Sequence, residues 1–248
     1  MVVSGKIEEK ENEKVKAYIN LDINGFQLRG FKLYEDEDKN IKLLNPSIMV
    51  KDEEGKYKMG KDNKPINKHP ITINQELSNA GELYKKLEAV LADTYKEFKE
   101  KGLSQINKEV EANELEKGEL NLTTYNIRKS KGNTQNPDIN MKSNHSVFIG
   151  AFKVNDVNLF YNAQKNDFTF SCPSYESAKN GKQEFLVPKT QESYKKLKDK
   201  LVSGYKEQDK KFKNDLKQQK MQQEQKNLKV NATQANEKPV ESQAPKMQ

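Results

Sequence analysis

Apolar and polar residues alternate along the first part of the chain. Val15, Ala17, Ile19, Leu21 and Ile23 stand one residue apart, the period of a strand with one buried face. Asn24-Gly25 follows. Both residues tolerate positive φ, so the pair predicts a tight hairpin turn of type I′. The return strand alternates through Phe26 and Leu28, then changes phase at Gly30 before Phe31 and Leu33, which predicts a β-bulge. A polar turn over 35–40 leads to a short strand over 41–44, closed by Asn45-Pro46-Ser47. After a turn at Gly55 and a Lys-rich loop come His69-Pro70-Ile71 and then a helix. Tyr84, Leu87, Leu91 and Tyr95 recur there at three and four residues, a stripe that packs on a sheet.

The same order returns later. Residues 147–154 predict a strand, Asn155-Asp156 its hairpin turn and 157–161 the return strand. The polar turn reappears at 162–167, Phe168 and Phe170 replace Ile41 and Leu43, and Cys172-Pro173-Ser174 replaces Asn45-Pro46-Ser47. Leu186-Val187-Pro188 takes the place of His-Pro-Ile. Then "ESYKKLKDKLVSGYKEQ" repeats "ELYKKLEAVLADTYKEF", with Tyr194, Leu197, Leu201 and Tyr205 as its stripe. Each copy opens with a further strand, over 2–7 and 120–127. So ordered a recurrence predicts an internal duplication. The expected fold is α+β, with two homologous units over 1–99 and 119–208, each a small antiparallel β-sheet with a C-terminal helix packed on it. Residues 100–118 form a linker in which Leu103, Ile106 and Val110 mark a short amphipathic helix. The tail, 209–248, is Lys/Gln-rich. It is expected to be helical while Phe212 and Leu216 keep helical spacing and disordered from Gln218, where no apolar face remains.

Composition narrows the class. Charged residues equal hydrophobic ones at 33% each, so the core is modest. No apolar stretch approaches the roughly 20 residues of a bilayer span, and "MVVSGKIEEK" is too charged for a signal peptide. The single cysteine, Cys172, excludes an internal disulfide and fits a reducing compartment. The expectation is a cytoplasmic protein with no membrane partner. Net charge is +7 and sits late in the chain: residues 1–100 hold 18 basic and 19 acidic side chains, 118–208 hold 14 and 9, and 209–248 hold 9 and 5. That asymmetry suits a polyanionic partner, nucleic acid first.

The order "INLDINGFQLRGFKLYE", "NPS", "HPI" and "EAVLADTYKEF" resembles the stage V sporulation protein G (SpoVG) family, small bacterial nucleic-acid-binding regulators of septation and sporulation. The resemblance covers roughly 1–99 and, more weakly, 119–208. Members are single-copy and pair through their sheets. The resemblance therefore implies that this tandem chain is a monomer folded as an intramolecular pseudo-dimer, and that it binds DNA or RNA.

The two helices differ in charge. Lys85-Lys86 and Lys195-Lys196 occur in both, as do Lys96 and Lys206, but Lys198 and Lys200 stand where the first helix has Glu88 and Val90. Lysines contact phosphates as point charges without reading bases. The candidate nucleic-acid-binding residues are Lys195, Lys196, Lys198, Lys200, Lys206, Lys85 and Lys86. Arg29 and Arg128 are the only arginines, so binding should be salt-sensitive and weakly selective. Lys56, Lys58, Lys61 and Lys64 form a second patch, nearly neutralised by Asp52, Glu53, Glu54 and Asp62. Tyr57, Tyr125 and Tyr175 are either platforms for unpaired bases or packing residues. His69 and His145 lie in no ligand-spaced cluster with Cys172, and Asp36-x-Asp38-x-Asn40 lacks the Gly and closing Glu of a calcium loop, with Ile41 and Ser47 in those places. No phosphate loop or nucleophile elbow is present. The expectation is no enzyme, no metal or cofactor and no small-molecule substrate. The rival reading is a protein–protein adaptor whose lysines only solvate its surface.

Overall fold

Asn24 and Gly25 both take positive φ, +50° and +82°, and join two long strands as their residue types predict. The computed structural model describes residues 1–8, 14–52, 54–127, 139–177 and 181–236. Its first half builds strands β1 (Val2–Ile7), β2 (Val15–Ile23), β3 (Phe26–Glu35), β4 (Ile41–Leu44), β5 (Ile48–Met49), β6 (Asn67–Lys68) and β7 (Ile71–Ile73), then helix α1 (Ala80–Glu100). Strand β8 (Gln105–Glu109) and helix α2 (Asn113–Glu116) follow. The second half supplies β9 (Asn121–Ile127), β10 (Ile139–Ile149), β11 (Phe152–Asn162), β12 (Asp167–Ser171), β13 (Ser174–Ser177), β14 (Gly181–Glu184), β15 (Leu186–Pro188) and α3 (Gln191–Asn236). The chain divides into two compact units, Met1–Tyr205 and a second that begins at Lys206. Glu53, Arg128 and the tail end at 237–248, with its expected disorder, lie outside the described residues.

The first unit is α+β, with two larger antiparallel sheets. One runs β15-β3-β2-β1-β8 with β4 also on β3; the other runs β12-β11-β10-β9 with β7 also on β11. The central hairpins pair alike: Leu21↔Leu28 recurs as Val147↔Val154, and Ile19↔Phe31 as His145↔Val157, a constant shift of 126 positions. Even the bulges coincide, at Lys16 and Lys142 and at Arg29-Gly30 and Asn155-Asp156. Strands also cross between the halves. Leu186, Val187 and Pro188 pair with Leu28, Gln27 and Phe26, while Ile71, Thr72 and Ile73 pair with Val154, Lys153 and Phe152.

A bulge sets two residues against one on the partner strand and disrupts the ladder there, and the visiting strands complete the bonding at these points. Arg29 N–H donates to the Phe185 carbonyl and Asn155 N–H to the Pro70 carbonyl, each at 2.8 Å. At the other end Lys189 N–H reaches Gly25 O at 2.9 Å and Asn74 N–H reaches Ala151 O at 2.8 Å. Both sheets bury their apolar faces in one continuous core, where Phe31 and Phe152 meet edge to face at 6.1 Å. Burying each such side chain stabilises the fold by about 1.5–3 kcal/mol.

Three expectations are corrected. The second hairpin turns at Gly150-Ala151, between Ile149 and Phe152, whereas Asn155-Asp156 forms the bulge. Asp156 has φ +62°, so the tolerance of positive φ that suggested a turn serves a bulge equally well. Between Leu103 and Val110 the chain forms strand β8 around Ile106 rather than a helix. Gly102, at φ +65°, lets the chain leave α1, and β8 covers the edge of β1 with Ile106 buried opposite Gly5. Finally, α3 runs on past Gln218 to Asn236. Between Gly204 and Pro239 neither Gly nor Pro occurs, and Lys, Gln, Glu and Met are good helix formers even without an apolar face. No helix among the described residues is long and apolar enough to cross a membrane.

Candidate nucleic-acid interface

The candidate lysines stand on α1 and α3, so what holds these helices decides where the charge goes. Leu87, Leu91, Leu197 and Leu201 are fully buried, and Tyr95 nearly so. The Tyr84 hydroxyl donates to the Leu43 carbonyl at 2.6 Å, and burial raises its pKa. Tyr194 instead stacks on Phe170 at 4.8 Å, and Tyr205 lies against Phe168 at 5.9 Å. Thr190 caps α3: Ser193 N–H donates to Thr190 Oγ1 at 3.1 Å, while Thr190 N–H donates to Ser193 Oγ at 3.0 Å, a reciprocal arrangement like a capping box.

One of the two charge differences between the helices, Glu88 against Lys198, is a difference in how each is tied to its sheet. Glu88 accepts the Leu43 N–H at 2.9 Å and lies 3.6 Å from Lys42, fastening α1 to β4. Lys198 donates to both carboxylate oxygens of Asp167, at 2.7 and 2.9 Å, fastening α3 to the start of β12. The Lys198 hydrogen bond, with the Phe168 N–H behind it, lowers the pKa of Asp167. The same tie is made twice with opposite polarity.

The remaining candidates separate. Lys86 pairs with Glu114 at 2.9 Å. Lys196 is exposed and borders a cleft with Glu116 and Glu119. Lys85, Lys195 and Lys200 are exposed and form no ion pair among the described residues. Lys206, also exposed, opens the second unit. Within that unit Lys206, Lys210, Lys213, Lys217 and Lys220 recur at alternating steps of four and three. All are exposed and helical, so they form a row along one side of the helix, with Lys213 also paired to Asp209 at 2.6 Å. Sequence reasoning passed over this row, although its spacing is plain.

The other candidates take structural places, Tyr57 excepted. Tyr175 stacks on Phe185 at 4.8 Å, Lys153 lies over the Tyr125 ring at 5.9 Å, and Tyr57 is exposed. Asp36 accepts the Asn40 N–H and closes its own turn. His69 contacts the Pro46 carbonyl at 3.1 Å. His145 occupies the register position of Ile19 and is fully buried. Ser143 Oγ lies 2.7 Å from its Nε2 and Thr124 Oγ1 lies 3.0 Å from its Nδ1, and burial lowers its pKa to about 4. Burial pushes the Cys172 thiol up. Among the described residues no group of three or more His, Cys, Asp or Glu is placed to hold a metal.

No family model, curated protein or solved structure matches this chain. What its surface can do rests on the lysines themselves. Clustered exposed ammonium groups attract phosphates and release counterions. Lysine carries no planar fork for bidentate reading of base edges.

Proposed function

We propose that this protein is a cytoplasmic nucleic-acid-binding regulator of the SpoVG type, a tandem duplication folded as an intramolecular pseudo-dimer. The reciprocal pairing of β15 with β3 and β7 with β11 supports the pseudo-dimer. The observation that carries the binding reading is the exposed lysine row Lys206, Lys210, Lys213, Lys217 and Lys220. Lys85, Lys195, Lys196 and Lys200 add phosphate contacts from the first unit, whereas Lys198 serves mainly to hold α3. Binding is backbone-dominated and weakly selective.

A second reading, a protein–protein adaptor, is favoured by the ion pairs Lys86–Glu114 and Lys198–Asp167, which use two candidate lysines structurally. Anisotropy titrations with single-stranded DNA, duplex DNA and RNA over a salt series separate the two. The regulator gives a negative log–log salt slope that shrinks by about 0.7–0.9 for each phosphate-contacting lysine removed. An adaptor gives no salt-dependent binding.

A further inference from the structure

Residues 48–52 and 54–68 form an arm longer than the β13–β14 pair of the second half. Ile48 and Met49 pair with Lys68 and Asn67 to make a stem, and bridges Lys51↔Tyr57 and Met59↔Pro65 begin two further hairpins. The three meet at a junction where Val50 N–H donates to Ile66 O at 2.9 Å, Lys58 N–H to Val50 O at 2.8 Å and Ile66 N–H to Lys58 O at 2.8 Å. Side chains alternate along extended chain. The residues on either side of these three therefore share the opposite face: Met49, Lys51, Tyr57, Met59, Pro65 and Asn67.

That face carries four apolar side chains among its six and is open to solvent. Met49, Tyr57 and Met59 are 44%, 48% and 53% exposed, and Lys51 Nζ stands 5.5 Å from the Tyr57 ring centroid. Thioethers are adaptable packing groups, and adjoining exposed apolar side chains mark a binding surface. Lys61 and Lys64, at one hairpin tip, are exposed and form no ion pair among the described residues. An aromatic ring with Lys51 beside it, and Lys61 and Lys64 on either side of Asp62 at the hairpin tip, suits a ligand with flat π-faces and a phosphate chain. A duplex keeps its base faces stacked on one another, whereas a single strand offers them.

We propose that this face binds single-stranded nucleic acid, with a base stacked on Tyr57 between Met49 and Met59 and phosphates near Lys51, Lys61 and Lys64. The inference rests on the nucleic-acid reading above and adds the strandedness and the element that grips bases. The test uses the full chain and fluorescein-labelled dT12, with a 12-base-pair duplex beside it. Tyr57→Ala should weaken dT12 binding by roughly 5- to 150-fold, the span of one lost base–aromatic stack, and leave the duplex unchanged. Tyr57→Phe should bind dT12 as the wild type does. Lys61→Ala with Lys64→Ala should reduce the dT12 salt slope by about 1.4. Circular dichroism and thermal melting confirm that each variant is folded. If wild type binds dT12 and Tyr57→Ala binds it equally well, the inference falls while the general reading stands. Binding of the duplex but not of dT12 also overturns it. If neither oligonucleotide binds at low salt, the nucleic-acid reading fails as well.

Discussion

At the scale of single residues, the two halves solve one problem with different chemistry. Register places His145, Ser143 and Thr124 where the first half has Ile19, Ala17 and Gly5, so buried His145 and Ser143 and half-buried Thr124 stand at positions that carry no polar side chain in the first half. His145 is held down at about 4 by burial, so the unfolded chain takes up its proton first as pH falls below about 6.5. Stability from neutral His145 is thus present above about pH 6.5 and lost as pH falls toward 4, in all on the order of 3 kcal/mol. Urea unfolding of His145→Gln should show a flatter stability curve between those limits; an unaltered slope would assign the titration elsewhere. Gly30 combines φ +89° with a Cβ position only 2.9 Å from Phe185 Cε1. Gly30→Ala should therefore cost about 1–3 kcal/mol, read as a lower urea midpoint.

At the scale of elements, periodicity found β2, β3, the turn at Asn24-Gly25 and the bulge at Gly30, because each leaves a local mark. It misplaced the second hairpin because Asn155-Asp156 suits any site of positive φ. It took β8 for a helix because Leu103, Ile106 and Val110 are spaced for one, and only the open edge of β1 decides otherwise. Charge singles out Lys198, and the structure pairs it with a carboxylate. Its partner Asp167 lies 31 positions away, a pairing that local spacing does not encode. Lys198→Ala should accordingly change nucleic-acid affinity less than Lys195→Ala with Lys200→Ala, and Glu88→Ala should speed amide exchange at Leu43, whose N–H it accepts. The extension of α3 has its own check. Truncation after Gln218 should remove helical ellipticity at 222 nm from the intact chain, and an unchanged signal per molecule would return the segment to the disorder first expected.

At the scale of the whole molecule, the exchange of β7 and β15 is what ties the two halves together, and no hydrophobic pattern announces it. Three-residue strands such as Ile71–Ile73 carry too little sequence to name a partner across the chain. The exchange supports an intramolecular pseudo-dimer, so sedimentation should find a monomer near 28.6 kDa, and an obligate dimer of chains would count against it. Function is legible more coarsely than fold. Charge asymmetry suggests a polyanion, and the spacing of the lysine row stands in the sequence, but the exposure of that row and of the arm's face emerges only from the structure. The most direct measurement is anisotropy of labelled single-stranded and duplex nucleic acid titrated with the full chain from low to moderate salt, repeated with Lys206, Lys210, Lys217 and Lys220 changed to Ala. The account predicts a steep negative log–log slope that shrinks by roughly 2.8 to 3.6 in the quadruple variant; flat or undetectable binding by the wild type at low salt would contradict it.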